Sequence, residues 1–468
     1  MRKKIILELD SFKIDYVKKW FSENNFDEKY DIIILTKRQR TEVFQTELSG
    51  FSNLKFVTYD TILNYKPTLD LDINSYYEFI KSYFDDCIPA RFLDREGYLP
   101  KYGIGVQSAY SYYTDVAYNV LAFLKEHDIS FITFRNTPHE SIEWIVAKSA
   151  EFLNIDIYTC ELFVFPWLYA IKKGYHRNRE TIFKNLEPDS KPELRKHISS
   201  YVKNIHGKYE NAMPSYEKNR LGKGILKFYN PFKHIKENIT KPHKFYNKTR
   251  NFFYYKKHSR SIDLKSTDYF VFFLHFQPER TTLPEGYDFT DQFYAVKVLS
   301  KMLPEGVKLL VKEHPSMFTR HSEPKFRSLY NYKMLHRLSN VVMCPLHEDN
   351  FNLMDNAMAV ITINGTAGIE AYIRQKPVLI FGRNNLKVEG VHGFKDIPSL
   401  QSFIDDVIHR NYKIENVVDH LVNLCHGVTM SGLEGGYKED IDYYLKYIYQ
   451  DVAHCRLLSE LLKHNYTN

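Results

Sequence analysis

Short apolar runs, many of them β-branched, alternate along this chain with stretches whose apolar positions recur every three or four residues. The early runs cover residues 4–9, 31–35, 54–58, 129–134 and 155–158, and helical patterns cover 12–23, 115–125 and 141–153. Strands that alternate with helices imply βαβ units and a parallel sheet. A second series begins with a strand at 269–274. It continues through strands at 307–311, 341–344, 359–363 and 378–381, the last closing the sheet, with helices at 289–301, 324–338, 351–357 and 400–409. Residues 176–265 carry no strand pattern and are broken by Pro188, Pro192, Pro214, Pro231 and Pro242. The pattern therefore predicts an α/β protein with a Rossmann-like domain over 1–175 and a helical insertion and linker over 176–265. A second Rossmann-like domain is expected over 266–410, and C-terminal helices over 411–468 that pack back across the domains.

The sharpest local signal is Ala359-Val360-Ile361-Thr362-Ile363-Asn364-Gly365-Thr366-Ala367-Gly368-Ile369-Glu370, a strand that stops at a tight turn and passes into a helix. Gly365 and Gly368 let the backbone turn and approach a ligand, and Thr366 is placed to cap the helix. Helix N-terminal N–H groups and the positive end of the dipole form a site for phosphate or carboxylate. A plain βα connection with small packing residues has the same pattern.

Open α/β sheets bind ligands beyond the carboxyl ends of their strands, so the residues that follow each run are the candidates. In the first series these are Asp10, a general base or a helix cap, and His139 of Thr137-Pro138-His139, a base or the start of a helix. In the second they are His275, Gln277, Glu279 and Arg280, then Lys312, Glu313, His314 and Pro315, then Asn364, Gly365, Thr366, Ala367 and Gly368 with Glu370 one turn on. A helix N-terminus with His314 or Arg280 suits phosphate, and Glu370 suits ribose hydroxyls. Glu279 can orient Arg280 or touch a sugar, and a Glu-Arg pair bracing the turn is the structural alternative.

Composition narrows the class. The chain has 468 residues, 44% apolar and 26% charged, and no apolar run of membrane-spanning length. Its opening segment has too short an apolar core for a signal peptide, so a cytoplasmic location is expected. Five scattered cysteines show neither disulfide nor metal spacing. Asp70-Leu71-Asp72 has the spacing of a metal-chelating pair but lies in a polar loop, and no metal site is expected. The net charge of +7 is uneven: from Lys223 to Arg260 eleven Lys or Arg face one acid, Glu237, with Phe and Tyr interleaved. That belt is expected to meet an anionic membrane surface, on the cytoplasmic face of the inner membrane, or to be a solvated arm or a subunit contact.

The residues from Leu274 to Thr282, Leu303-Pro304-Glu305-Gly306, Val311-Lys312-Glu313-His314-Pro315, Asn364 to Ala371 and Lys376-Pro377-Val378-Leu379 resemble the bacterial capsular polysaccharide biosynthesis proteins. These are relatives of the GT-B glycosyltransferases that include users of CMP-Kdo. The resemblance is close over 269–382 and looser around residues 136–140. It implies two Rossmann-like domains facing across a cleft in a GT-B-like fold, and metal-independent transfer of a sugar from a nucleotide donor, a CMP-sugar among the candidates, to a glycan or lipid-linked acceptor. No other cofactor is implied. The family often has Ser where Asn364 stands. A CDP-polyol phosphotransferase and a UDP-sugar epimerase would share the fold. A non-catalytic nucleic-acid binder is suggested only by the basic belt, without an accompanying RNA-binding motif.

Overall fold

The computed structural model describes residues 2–10, 12–68, 71–84, 88–96, 106–165, 167–177, 179–182, 191–207, 242–318, 326–427, 429–431 and 443–467. They divide into two compact units, the first from Met1–Asp189, Gly427–Gly436 and Tyr444–Asn468, the second from Ser190–His426 and Tyr437–Tyr443. Each is a Rossmann-like layer of mainly parallel strands covered by helices.

In the first unit β1 (Lys3–Glu8), β2 (Tyr30–Thr36), β3 (Leu54–Thr58), β4 (Ile129–Phe134) and β5 (Asp156–Leu162) run parallel in the order 3-2-1-4-5. Ile5, Ile6 and Leu7 of β1 are wholly buried in succession, as a central parallel strand covered on both faces requires. The sheet then departs from the expected pattern: β6 (Leu168–Lys173) returns antiparallel on β5, and the two-residue strands β7 (Glu180–Thr181) and Met430–Ser431 pair with β6. Helix α1 (Ile14–Asn24) lays Val17, Trp20 and Phe21 on this sheet, and α2 (Ser141–Phe152) follows β4.

In the second unit β8 (Tyr269–Phe273), β9 (Lys308–Lys312), β10 (Val341–Met343), β11 (Ala359–Thr362), β12 (Val378–Ile380) and β13 (Val391–Gly393) form an all-parallel sheet in the order 10-9-8-11-12-13. The strand at 378–381 was expected to close the sheet; β13, three residues long, adds one more on that edge. The described parts of 191–265 are built into this unit. Helix α3 (Lys191–Ile205) buries Leu194, Ile198, Val202 and Ile205 at helical spacing, and Arg374 Nη1 donates to Ile205 O at 2.7 Å. Helix α4 (Pro242–His258) buries Tyr255 and Asn251, the latter donating from Nδ2 to Arg327 O at 2.6 Å. Residues 223–241 of the basic belt, together with Asp70, lie outside the described residues. Asp72 accepts from Ser75 N–H and Oγ, so its carboxylate caps the helix Ile73–Phe84.

The C-terminal segment does not behave as one block. Val417–Cys425 belongs to the second unit, whereas α5 (Tyr443–Thr467) joins the core of the first through Ala453, Cys455, Leu457, Leu458, Leu461 and Leu462. Its one buried carboxylate, Asp451, meets Arg135 at the end of β4 at 2.7 Å and accepts from Lys13 N–H at 3.0 Å. Both side chains of that pair are almost wholly buried. Removing one partner of such a pair strands a charge, at about 3–5 kcal/mol. Asp451→Ala is therefore expected to destabilise the first unit by that order while Asp451→Asn costs less, measured as the shift of the unit's unfolding midpoint in urea.

Candidate functional site

The strand order changes direction between β8 and β11 in the second unit and between β1 and β4 in the first, and ligands of doubly wound sheets bind at such points beyond the strand ends. In the second unit the two flanking ends are tied together. Asn364 N–H donates to His275 Nε2 at 3.2 Å, and Thr362 Oγ1 lies 2.9 Å from the same nitrogen. Gly365 N–H donates to Thr362 Oγ1 at 3.1 Å, which leaves the hydroxyl proton for His275. Nε2 thus accepts twice, and the ring proton sits on Nδ1. Burial, helped by His314 and Arg327, pushes the His275 pKa down to about 3, so this imidazole is neutral and supplies no positive charge.

This junction explains Gly365 differently from the sequence reading. Its φ is −99°, which any residue adopts, but a Cβ there would stand 2.8 Å from His275 Cε1. Close approach of the ring, not a special backbone angle, demands glycine. Gly365 is the N-cap of α6 (Thr366–Ile373) and has no side chain to cap with; Thr366 is the first helical residue and is exposed. Thr366 does not take the expected capping role; Thr362, on the strand, accepts only the N–H of the N-cap residue Gly365, and no side chain caps α6. Among the described residues, the N–H groups of Thr366 and Ala367 have no protein acceptor. Gly368 packs against Thr362, Val378 and Ile380, and Glu370 is half-buried one turn on.

Beside this helix end stands a wholly buried carboxylate, Glu285. It pairs with Arg280 Nε at 3.2 Å and Arg383 Nη1 at 3.0 Å, and accepts from Asn364 Nδ2 at 2.9 Å. Two guanidiniums thus share this one buried carboxylate. Arg280 keeps about a fifth of its side chain exposed. Asn364, expected to touch a ligand, spends its amide on Glu285 instead.

Other expected contacts are committed elsewhere. Glu313 is fully buried, binds Arg327 at 2.8 Å and accepts from Tyr332 OH at 2.8 Å. Arg327 also donates to His275 O and to Gln277 Oε1, each at 2.7 Å, so Gln277 is part of the scaffold. Lys312 is buried with Nζ on the carbonyls of Leu346 and Glu348, and burial lowers its pKa to about 8. Lys312 and Glu313 are thus structural, contrary to the expectation that both contact the nucleotide. His314 is half-buried at the same edge; its Nδ1 accepts Ser316 N–H at 3.2 Å, so a neutral ring carries its proton on Nε2. Pro315 opens the turn Pro315–Phe318 behind it, and Glu279 accepts from Thr281 Oγ1 at 3.0 Å.

Sequence reasoning missed Glu285, Arg327 and Arg383. Arg383 was within reach, standing three residues past β12. Glu285 and Arg327 lie in loops with no strand-end signal.

The first unit's switch point is acidic. Glu8 accepts from Asp10 N–H at 3.0 Å and from Arg135 N–H at 3.2 Å. Glu143 takes the N–H groups of His139 at 2.9 Å and Glu140 at 3.2 Å, closing the N-terminus of α2. Burial, then the nearby Glu143, push the Glu8 carboxyl up to about 7; burial, then Glu140, do the same for Glu143. The Tyr59 hydroxyl, in the field of these carboxylates, is buried without a hydrogen-bond partner. Asp10 accepts Lys37 N–H at 2.7 Å with Lys37 Nζ at 3.7 Å, which makes it a brace between the ends of β1 and β2 more than a base. His139 Nδ1 lies 3.0 Å from Thr137 O and 3.4 Å from Glu143, which directs Nε2 away from them.

With this geometry in place, comparison with known proteins adds a family. Residues 185–401 match the profile of the capsule polysaccharide biosynthesis proteins. A comparison with curated proteins finds no match. Among solved structures, the chain is similar to UDP-GlcNAc 2-epimerase from Methanocaldococcus jannaschii at 12% identity over 89% of this chain and 96% of that one, TM-score 0.26. It is similar to the beta Kdo 2,4 transferase of Thermosulfurimonas dismutans KpsC at 12% identity over 64% and 79%, TM-score 0.32. The beta Kdo 2,7 transferase of the same KpsC gives 9% identity over 71% and 88%, TM-score 0.31. At such identities the likenesses carry neither substrate nor chemistry to this chain.

The capsule-family segment contains His275, Arg280, Glu285, His314, Asn364, Gly365 and Arg383, whereas Glu8, Asp10, His139 and Glu143 lie outside it. Two outcomes follow. Gly365→Ala should push His275 off its junction and weaken any nucleotide-induced stabilisation without unfolding the unit, read by thermal shift with and without nucleotide. For Glu8 the folded pKa is raised, so its contribution to stability is full below about pH 4.5 and is lost as pH rises through about 7. Glu8→Gln, whose amide accepts only one of the two N–H donors, should remove this dependence and give a flatter stability profile than the parent between about pH 4 and pH 8 in urea unfolding.

Proposed function

We propose that the chain is a glycosyltransferase of capsular polysaccharide biosynthesis, with the second-unit edge taking the phosphate and ribose of a nucleotide-activated sugar. The observation that carries this reading is the cation-rich group around Glu285 set beside a helix N-terminus that no side chain caps. Phosphate brought there meets the Thr366 and Ala367 N–H groups and the exposed edge of Arg280, and His314 Nε2–H is a further donor. These groups neutralise the charge that develops as the sugar leaves phosphate. Glu370, within the first turns of α6, is the candidate for ribose hydroxyls, and Glu279 for the sugar or for orienting Arg280. The family match supports the class of reaction, and a CMP-linked sugar is the donor to test first.

Transfer also needs an acceptor hydroxyl that loses its proton. The first-unit edge is the candidate, with His139 as the base and the Glu8 and Glu143 carboxyls tuned near neutrality beside it. Glycan or lipid-linked glycan is the acceptor class. Among the described residues no helix is long and apolar enough to cross a membrane.

Thermal-shift titration against CMP, CDP, UDP and GDP tests the donor half. A bound nucleotide at 100 times its Kd stabilises by about 2.7 kcal/mol. Arg280→Gln and His314→Ala should shrink that shift and lower donor turnover by the equivalent of about 2–4 kcal/mol, and Thr366→Val should do so more weakly. Indifference to all four nucleotides, or variants that bind like the parent, would overturn the site. Turnover of a nucleotide sugar without any acceptor would move the assignment to an epimerase.

A further inference from the structure

Helix α4 has two faces of different character, and only one is used by the second unit. Asn251 and Tyr255 are buried, with Phe252 and Tyr254 packed against the unit's core. On the other side Tyr246 is 63% and Phe253 57% exposed, and Arg250, Lys256 and Lys257 are exposed with them. At about 100° per residue Tyr246, Arg250, Phe253 and Lys257 fall within roughly 40° of one line, a stripe about 16 Å long. Arg250 lies over the Tyr246 ring at 5.4 Å. From residue 238 to 262 the chain has no Asp or Glu, and among the described residues Arg250, Lys256, Lys257 and Arg260 pair with no carboxylate.

We propose that this stripe is a docking surface for an anionic lipid bilayer. Charge complementarity is one-sided: four exposed cations that pair with no carboxylate among the described residues, Arg250 and Lys257 of them on the stripe itself, accompany two exposed aromatic rings. A bilayer interface takes both kinds of group at one depth, the rings among the headgroups and the ammonium and guanidinium heads against lipid phosphate. Phe253 has no polar atom to satisfy in water, and the lipid boundary buries it. A nucleic acid would use the charge, but a single helical stripe has no groove to track a strand. The opposite face is anchored in the core, so α4 docks without leaving the unit. Binding through a few cations and two rings is peripheral and salt-sensitive.

Flotation of the purified full chain with vesicles decides it. Vesicles of phosphatidylcholine with 30% phosphatidylglycerol, as a composition on the order that gives a strongly anionic surface, should carry the protein upward at low salt. Pure phosphatidylcholine, or 0.5 M salt added to the anionic vesicles (a Debye length of about 4 Å), should reduce the partition at least tenfold. Arg250→Gln with Lys257→Gln should lose the dependence on lipid charge, and Tyr246→Ser with Phe253→Ser should weaken binding to anionic vesicles, both with unchanged unfolding midpoints because these side chains are exposed. Equal flotation of the variants and the parent would overturn the assignment. So would no flotation of the parent, or tight capture of a random single-stranded oligonucleotide by the parent that is lost in the Arg250/Lys257 variant while vesicles are ignored.

Discussion

A buried carboxylate at the edge of a parallel sheet has to be met by cations and donors, and the second unit meets that demand twice. Glu313 draws in Arg327 and Tyr332, and Arg327 in turn holds the backbone at His275 and the side chain of Gln277. The ends of β8 and β9 are thereby fixed to one another. Glu285 draws in Arg280, Arg383 and Asn364, which fixes the loops that follow β8, β11 and β12. Desolvating such groups costs several kcal/mol each, so these pairs are poor sources of stability. Their yield is position. The loops after β8, β9, β11 and β12 are each tied to a buried carboxylate, and the groups beside them are held in place by those ties.

The position of the edge was legible in the sequence, and the division of labour along it was not. Strands such as β2, with residues 32–35 all buried, and β8 stand out because parallel strands buried on both faces read as unbroken apolar runs. From those runs the residues that follow are automatic, and His275, His314 and Asn364 all stand at the expected ends. The antiparallel β6 and the short β13 lack that signature: Leu168-Tyr169-Ala170-Ile171-Lys172-Lys173 ends in two lysines, and Val391-His392-Gly393 is too short for any period. Roles failed for a different reason. Lys312 and Glu313 have the chemistry of ligand contacts, but whether a polar side chain turns outward or into the core depends on partners far along the chain, as Arg327 and the Leu346 carbonyl are here. Gly365 was read as a turn residue because the ring that requires its bareness comes from 90 positions earlier.

The same long-range dependence separates the two edges chemically. Both units place a helix after the strand that crosses their switch point, α2 after β4 and α6 after β11, and the first N–H groups of any helix have no acceptor within it and favour negative charge. In α2 the charge is internal: Glu143 folds back onto the N–H groups of His139 and Glu140 and occupies the place an anion would take. In α6 the corresponding place belongs to Gly365, which contributes no side chain, and the nearest carboxylate, Glu285, is outnumbered by two arginines. One topology thus yields an edge whose own carboxylate closes its helix end, and another whose helix end has no capping side chain and stands beside a carboxylate shared by two arginines. The difference rests on which residue follows the strand: glutamates within reach of the helix end in the first unit, a bare glycine in the second.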